Sequence, residues 1–248
     1  MTDHPEPAKG DAFGLCLQQC WSAGARAGVA YQLVERDDGY LSVIDASTYF
    51  TQWAEWPTVE RTACALATGR ILDVGCGAGR HAAVLTEQGH QVVGIDHSPG
   101  AVLVAMDRGV DAREADVLAL SEDLGTFDSI FLLGNNLGLL GSREQASVVL
   151  EILARLANPG ARLIGSTMDP YATTDADHLA YHRKNIDRGR LVGQARIRTR
   201  HRQVASDWLD YLLLAESELR QVAAQSPWTV RAIYPGSGAN YAAVMELQ

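Results

Sequence analysis

The sequence contains no continuous apolar run of the length that a membrane-spanning helix requires, so a transmembrane protein is not expected. It also lacks an excess of basic residues: 21 lysines and arginines stand against 30 aspartates and glutamates, and the formal net charge is −9. Nucleic-acid binding through the phosphate backbone needs a basic surface, so this composition argues against a nucleic-acid partner. The apolar fraction of 47% and the charged fraction of 21% are instead typical of a soluble globular protein.

Cysteine is also scarce, with four residues at positions 16, 20, 64 and 76. So few cysteines in a chain of 248 residues indicate reduced thiols and a cytoplasmic location rather than a disulfide framework. Cys16 and Cys20 share one face of a predicted helix, but no second Cys or His pair completes a zinc site, and no metal site is predicted. The first ten residues, MTDHPEPAKG, are polar and proline-bearing, which is unlike a signal peptide and predicts a disordered lead-in over 1–10.

Local patterns divide the remaining chain into an N-terminal addition, 11–68, and an α/β domain, 69–248. The addition is predicted as an amphipathic helix, a hairpin in YQLVERDDGYLSVID around its Asp-Asp-Gly turn, and a helix interrupted near Pro57. Five apolar strand patterns then alternate with helical patterns: RILDVG, QVVGID, VDAREAD, FDSIFLLG and ARLIGSTM. This alternation predicts a doubly wound α/β fold, with a mostly parallel sheet and helices on both of its faces.

Three glycines follow the first of these strands, in the stretch RILDVGCGAGRHAAVL. They lie at positions 75, 77 and 79, between a strand and a helix, where an open parallel sheet binds its ligand. Glycine at such a position indicates that the backbone approaches a ligand closely. The spacing is G-x-G-x-G, whereas a dinucleotide-binding loop requires G-x-G-x-x-G, and residue 80 is arginine. The loop therefore argues against a nicotinamide cofactor.

Acidic residues mark the ends of the first three strands. Asp73 precedes the loop, where its carboxylate would repel a pyrophosphate and suit an ammonium group. Asp96 ends the second strand and is placed to accept hydrogen bonds from both hydroxyls of a ribose. Asp116 follows the third strand, where its carboxylate can accept from an exocyclic amine. Together these three acids predict a pocket for an adenosine that carries a cationic tail.

The segments ILDVGCGAGRHAAVL, VVGIDHSPGAV, EADVLAL and FDSIFLLGNNLGLLG resemble, in this order, the motifs of class I S-adenosylmethionine-dependent methyltransferases. The resemblance covers about residues 70–168. It implies a Rossmann-like sheet of seven strands with an antiparallel final strand, and S-adenosylmethionine as the cofactor, with S-adenosylhomocysteine as the product. It implies transfer of a methyl group by in-line displacement, for which positioning and desolvation matter most.

The resemblance also implies roles for individual residues. The ribose would be bound by Asp96 with His97 and Ser98 alongside, and adenine by Asp116 and Val117. Gly134 and Asn135 would line the sulfonium and the acceptor. The residues expected near the methionine end are those of the glycine loop: Asp73, Gly75, Cys76 and Gly77, with Gly79 and Arg80 beside them.

The acceptor is predicted to be a small molecule. The fourth strand ends in GNNLG, which is unlike the Asn-Pro-Pro-Tyr sequence that clamps an amino group, and no Pro-Cys pair is present for attack on cytosine. A long segment after the fifth strand predicts an inserted lid over 170–205. Its surroundings supply the predicted catalytic residues Asp169, Tyr171 and His182, and the predicted substrate residues Asn136, Tyr181 and Arg183. Trp53 and Trp56 are either packing residues or walls of the acceptor pocket.

Several alternatives stay open at this point. The arginines at 196, 198, 200 and 202 would share one face of a strand, either as a charged edge or as a patch for an anionic acceptor or for a second subunit of a homodimer. The same scaffold can use the sulfonium for chemistry other than methyl transfer. A dehydrogenase that uses NAD and a ligand-binding sensor without turnover are the other classes.

Overall fold

Two β-sheets and seven α-helices make up residues 7–248, which are the residues that the computed structural model describes. The helices are α1 Ala12–Ser22, α2 Thr58–Ala65, α3 Arg80–Glu87, α4 Pro99–Asp107, α5 Arg143–Arg155, α6 Ala176–Asp187 and α7 Glu216–Ala223. The strands are β1 Ala8–Lys9, β2 Tyr31–Arg36, β3 Leu41–Asp45, β4 Arg70–Val74, β5 Gln91–Asp96, β6 Asp111–Glu114, β7 Phe127–Leu132, β8 Ala157–Met168, β9 Gln194–His201, β10 Val204–Ala205, β11 Leu209–Leu212, β12 Trp228–Pro235 and β13 Asn240–Leu247.

The larger sheet has seven strands in the order β12-β13-β8-β7-β4-β5-β6. Strands β4 to β8 pair in parallel, and β13 is antiparallel to both of its neighbours. The predicted sheet with its antiparallel final strand is thereby confirmed. Apolar side chains alternate across this sheet: Leu72 and Val74 pack under α5 and α7, while Ile71 packs under α2, α3 and α4. Each face therefore has its own hydrophobic core, as in a doubly wound fold.

The N-terminal addition is less helical than its sequence pattern predicts. The first helix ends at Ser22, because Gly24 and Ala25 adopt positive φ angles of 79° and 54° that end a right-handed helix. The predicted helix over 47–68 consists of two short 3₁₀ turns, Ala46–Phe50 and Trp53–Glu55, followed by α2. The predicted break near Pro57 is present, since this proline directly precedes α2.

The smaller sheet joins parts of the chain that the sequence patterns treated as separate. Its order is β1-β10-β9-β2-β3, and β11 also pairs with β9. The hairpin β2–β3 comes from the N-terminal addition, whereas β9 comes from the predicted insertion, and the two pair antiparallel from Leu33↔Arg200 to Arg36↔Ile197. The predicted cap, 11–68, and the predicted inserted element, 170–205, therefore contribute strands to one sheet. A strand with an unpaired edge needs a hydrogen-bonded neighbour, and β2 and β9 pair with each other at these edges.

The predicted disordered lead-in, 1–10, falls only in part within the described residues. Residues 1–6 lie outside the described residues, but Ala8–Lys9 forms β1, which pairs in parallel with Val204 and Ala205. Within the described part of the chain, every helix is too short or too polar to cross a bilayer.

Candidate active site

Four parallel strands end side by side at one edge of the larger sheet. β7, β4, β5 and β6 are neighbours in that order, so their carboxyl ends lie along the same edge. Ligands of open α/β sheets bind in the crevice beyond these ends. The residues predicted to bind the cofactor lie at or soon after the four ends: Asp73, Gly75, Cys76, Gly77, Gly79, Arg80, Asp96, His97, Ser98, Asp116, Val117, Gly134 and Asn135.

The glycine loop between β4 and α3 requires all three of its glycines. Gly75, Gly77 and Gly79 have φ angles of 70°, 55° and 72°, a backbone conformation that other residues adopt only with strain. A Cβ atom on Gly79 would lie 2.9 Å from Cγ2 of Val110 and 3.2 Å from Cβ of Ala105, so this glycine lets the start of α3 pack closely against α4 and the residue before β6. A Cβ atom on Gly77 would meet nothing nearer than the ring of Phe13, at 3.6 Å. Gly77 is therefore less closely surrounded than Gly79, and its neighbour in this direction is the ring of Phe13.

Asp96 links the loop to the next strand end. Its Oδ2 accepts a hydrogen bond from the backbone N–H of Gly77 at 2.9 Å, and its Oδ1 accepts from the N–H of Ser98 at 2.9 Å. Burial raises the pKa of this carboxyl group, although both N–H groups oppose the shift by favouring the carboxylate. Each oxygen has a second lone pair, so Asp96 retains acceptors for the two hydroxyls of a ribose.

Asp73, like Thr167 and Asn185, has a buried side-chain oxygen without a hydrogen-bond partner in the described part of the chain. The Asp73 side chain is buried, and its Oδ2 has no hydrogen-bond partner among residues 7–248. Burial raises the pKa of this carboxyl group, while the positive charges of His81 and Arg80 and the N–H of Ala82 oppose the shift. A buried acceptor without a partner costs free energy, so it indicates a site that a donor fills on binding. An ammonium group is a donor of the right charge.

Residues 71–160 match the family model described as a methyltransferase domain. The whole fold matches a SAM-dependent methyltransferase from Bacteroides fragilis, solved in complex with S-adenosyl-L-homocysteine, with 29% identity and a TM-score of 0.81. That match covers 97% of this chain and 96% of the other. The predicted resemblance to the class I S-adenosylmethionine-dependent methyltransferases is confirmed by this domain match and by this structural match.

Other relatives of this methyltransferase chain match it over shorter stretches. A ubiquinone biosynthesis O-methyltransferase from Xanthomonas oryzae pv. oryzae is 34% identical over 111 residues, which are 42% of this chain and 45% of that protein. A cypemycin N-terminal methyltransferase from a Streptomyces species is 34% identical over 104 residues, 40% of this chain and 42% of that protein. The chain thus spans less than half the length of these curated relatives. The CcbJ methyltransferase from Streptomyces caelestis, at 15% identity and a TM-score of 0.60 over 81% of this chain and 98% of the other, shares the fold.

A buried cluster that the sequence did not indicate lies beside Asp73 in this methyltransferase. Glu60 of α2 accepts a hydrogen bond from Nη2 of Arg80 at 2.6 Å and lies 3.2 Å from Nε2 of His81. Burial alone would raise the pKa of Glu60, but His81 and Arg80 outweigh it and lower that pKa. Trp56 packs edge-on against the His81 ring, 5.0 Å away, so Trp56 is a wall of this cluster. Glu60 lies outside the quoted motifs, and His81 lies within ILDVGCGAGRHAAVL but received no role from it, so the pair became visible only through its packing.

Three other predicted cofactor residues differ in their surroundings. Cys76 is buried, and its Sγ lies 2.9 Å from the position that a Cβ atom on Gly94 would take. Burial raises the pKa of this thiol well above its ordinary range. Its side chain therefore fills space, and only its backbone is available to a ligand. Asp116 is exposed at the rim, and its carboxylate accepts from the N–H of Leu118 at 2.9 Å. His97 is exposed beside Asp96, 3.6 Å from its Oδ1.

The end of β7 is fixed by contacts to three other elements. Asn135 donates its N–H to Oγ of Ser166 at 3.0 Å, and its carbonyl accepts from the hydroxyl of Tyr211 at 2.6 Å. The amide of Asn136 donates to the carbonyls of Val74 and Gly75, at 3.1 and 2.8 Å. Asn136, predicted to contact the substrate, therefore supports the glycine loop instead.

The predicted catalytic residues after β8 make structural contacts. Asp169 accepts a hydrogen bond from the N–H of Tyr171 at 2.9 Å and so caps a short 3₁₀ turn. Tyr171 is largely exposed, and its hydroxyl donates to Glu218 of α7 at 3.0 Å. Partial burial and this hydrogen bond raise the pKa of Tyr171. The hydroxyl of Tyr171 is therefore directed to α7, and the carboxylate of Asp169 is used within its own turn.

Helix α6 packs on the hairpin β2–β3. Tyr181 is buried, and its hydroxyl donates to Asp37 at 2.7 Å and accepts from the N–H of Arg196. His182 is half-buried, and burial lowers its pKa, with further lowering by His178 and Arg36. Arg183 is exposed. The hydrogen bonds of Tyr181 thus lie within the smaller sheet and its hairpin, and the catalytic and substrate roles of these three residues stay predictions.

The inner face of the smaller sheet carries a chain of uncharged polar groups. The hydroxyl of Tyr49 donates to Oε1 of Gln32, and Nε2 of Gln32 donates to Oγ1 of Thr199 at 3.0 Å. Burial raises the pKa of Tyr49 and of Tyr211, whose hydroxyl bonds to the β7 end. These tyrosines were not predicted as site residues.

The arginine strand faces the other way. Side chains alternate along β9, so its arginines project from the face opposite to Thr199. Arg198 pairs with Glu35 at 2.7 Å, and Arg200 pairs with the same carboxylate at 3.4 Å. These arginines belong to the outer face of the smaller sheet, and the patch that was considered for an anionic acceptor does not line the crevice.

Proposed function

We propose that this chain transfers the methyl group of S-adenosylmethionine to a small-molecule acceptor by in-line displacement. The observation that carries the proposal is the buried Oδ2 of Asp73, which has no partner among residues 7–248 and lies beside the glycine loop. A ligand with an ammonium group satisfies this oxygen and offsets the cost of its burial. S-adenosylmethionine combines that ammonium with a ribose and an adenine, which match Asp96 and Asp116 at the neighbouring strand ends.

The residues of the chain would divide the work by position. Asp73 would hold the amino group, Asp96 would orient the ribose, and the backbone at Gly77 would let the cofactor lie close to the loop. When bound, the cofactor supplies an already activated methyl group on sulfur. What remains for the protein is to exclude water and to align the acceptor, and the face that carries Tyr49 and Tyr211 is suited to both tasks.

The polarity of the inner face of the smaller sheet narrows the class of acceptor. The side chains that form the inner polar chain, Gln32, Tyr49 and Thr199, are uncharged, while the arginines of β9 lie on the outer face. This favours a neutral acceptor with hydroxyl or amine groups over a strongly anionic one. The relatives are named for O-methyl and N-terminal methyl transfer, so small molecules with hydroxyl or amino groups are the first acceptors to test.

The proposal is tested by titration calorimetry with S-adenosylmethionine and with NAD, followed by an acceptor screen. We expect binding of S-adenosylmethionine, no binding of NAD, and an acceptor mass that increases by one CH₂ group for each methyl transferred. Binding of NAD alone would overturn the cofactor assignment. A product that contains another fragment of the cofactor would show that the scaffold uses the sulfonium differently, and binding without any turnover would indicate a sensor.

A further inference from the structure

The first turn of α1 lies over the glycine loop. The Cζ and Cε1 atoms of Phe13 are the atoms nearest to the Cβ position of Gly77, at 3.6 and 3.7 Å. The Phe13 ring is partly exposed, and it makes an edge-on contact with Tyr49, with 5.3 Å between the ring centroids. Gly77 in turn donates its N–H to Asp96. Phe13 therefore borders the same crevice as the carboxylate that is expected to hold the ribose.

Asp11 holds this turn in place by bonding to two helices at once. Its Oδ1 accepts from the N–H of Gly14 at 2.8 Å, which caps α1, and from the hydroxyl of Ser98 at 2.8 Å. Its Oδ2 accepts from the N–H of Gly100 at 2.8 Å, in the first turn of α4. One carboxylate thus fastens the start of α1 to the turn that directly follows Asp96.

Two glycines allow the helices to touch at this point. A Cβ atom on Gly14 would lie 2.6 Å from the Cα of Gly100, and a Cβ on Gly100 would lie 2.7 Å from the Cα of Gly14. Such distances are too short for any side chain, so the two backbones are in direct contact. The backbone contact between Gly14 and Gly100 and the hydrogen bonds of Asp11 both hold the same turn against the edge of the crevice.

We propose that the segment 11–14, which we call the roof turn, covers the bound cofactor. Phe13 contacts the cofactor at the rim of the crevice, beside Gly77, and Asp11 is a positioning residue that keeps Phe13 there. This inference rests on the proposed function, because it needs the cofactor in the crevice. A cofactor held at Asp96 and bordered by Phe13 leaves only after the roof turn has lifted, so the hydrogen bonds of Asp11 set the rate of release.

The test is the dissociation rate of S-adenosylhomocysteine, measured by stopped-flow displacement, together with its Kd from calorimetry. Loss of hydrogen bonds to a charged group in Asp11→Ala should increase the dissociation rate roughly tenfold or more. Phe13→Ala should weaken the affinity by a similar factor, because the ring contact is lost, and Phe13→Leu should restore part of it. Leu15→Ala is the matched control on the exposed side of α1, where the side chain is 45% exposed, and should leave both quantities within about twofold of wild type.

A second variant covers the case in which Asp11→Ala does not fold. Gly100→Ala places a methyl group 2.7 Å from the Cα of Gly14 and 2.9 Å from Oδ2 of Asp11, so it pushes α1 away while both side chains, Asp11 and Phe13, are retained, and it should also accelerate release. A merely structural role of the roof turn would lower the melting temperature of these variants but leave the dissociation rate and Kd at wild-type values. If the wild type binds S-adenosylhomocysteine, that result would overturn the proposal that the roof turn covers the cofactor and would leave the proposed function intact. A wild type that does not bind S-adenosylhomocysteine would overturn the proposed function as well.

Discussion

Asp73 shows how a single residue can serve binding at the expense of stability. Its carboxylate is buried with one oxygen unpartnered, and nearby Asp96 adds a second buried acid. Burial without a full set of partners disfavours the charged form, which is why the pKa of Asp73 is raised. The folded protein therefore binds a proton at Asp73 more tightly than the unfolded chain does. Its contribution to stability is full below the pKa of an unfolded aspartate and is lost as the pH rises through the raised pKa of the fold.

Asp73→Asn should consequently make the protein more stable and bind its cofactor less well. At neutral pH we expect a gain of about 1 kcal/mol in the free energy of unfolding, because no charge is buried. For a chain of this size this corresponds to a rise of about 2–4 °C in Tm. The affinity for S-adenosylmethionine should fall roughly ten- to a hundredfold, since a charge-assisted hydrogen bond is lost.

Thermal unfolding across the pH range and calorimetry check both parts of this expectation. The stabilisation by Asp73→Asn should shrink as the pH falls, because the wild-type residue is then protonated as well. Asp207→Asn makes the same chemical change at a side chain that is 74% exposed and should alter neither quantity. A variant that bound the cofactor as tightly as wild type would contradict the role given to Asp73.

At the scale of elements, the glycine loop meets two requirements, close packing against neighbouring elements and close approach of a ligand. A different glycine serves each requirement. Gly77 and Gly79 both have positive φ angles, but only Gly79 is closely surrounded, with Val110 and Ala105 where its Cβ would be. Gly77 faces the crevice. The two positions therefore separate the demands of packing from those of ligand approach.

Gly77→Ala and Gly79→Ala form a matched pair of variants. Both should lose about 1 kcal/mol of stability from backbone strain. Gly79→Ala should lower Tm further, because its methyl group would lie 2.9 Å from Val110, and should affect the cofactor less. Gly77→Ala should weaken cofactor binding roughly tenfold, since its methyl group occupies the face on which the ligand lies. Equal effects of the two variants on Kd, measured by calorimetry, would show that the loop does not divide in this way.

The elements that could be predicted from the sequence were those set by local patterns. The strands from β4 to β8, the glycine loop and the acids that follow the strands depend on the alternation of apolar residues and on glycine positions, which can be read over short windows. The cluster of Glu60 and His81 could not be found in this way, because each is a single polar residue on a helix. The packing of α6 on the hairpin could not be predicted either, because a long connection does not fix the element against which its helix packs.

At the scale of the whole molecule, the smaller sheet is the feature that no local pattern indicated. The hairpin β2–β3 and the strand β9 are distant in sequence, yet β9 is the central strand to which β2, β10 and β11 attach. Tyr211 of β11 also reaches the carbonyl of Asn135 at the end of β7. Both halves of the chain therefore contribute strands to the smaller sheet, and this sheet faces the crevice of the larger sheet.

A fragment of residues 69–248 should accordingly fail to fold as a soluble monomer. Without β2, one edge of β9 is left unpaired, and Gln32 no longer bonds to Thr199. We expect aggregation of this fragment in size-exclusion chromatography, and recovery of a soluble complex when residues 1–68 are co-expressed as a separate chain. A stable monomer with a native-like circular dichroism spectrum would show that the two sheets fold independently.

The pairing of β2 with β9 also has a consequence for synthesis on the ribosome. About 150 residues separate Arg36 from Gln194, and at the usual rates of translation this delay lasts roughly 8–30 s. During that time the edge of β2 that β9 later covers is open, and open strand edges recruit other chains. Glu35 and Arg36 lie on this edge strand and disfavour pairing with apolar partners, so the charges that later meet β9 also protect the nascent chain while it waits.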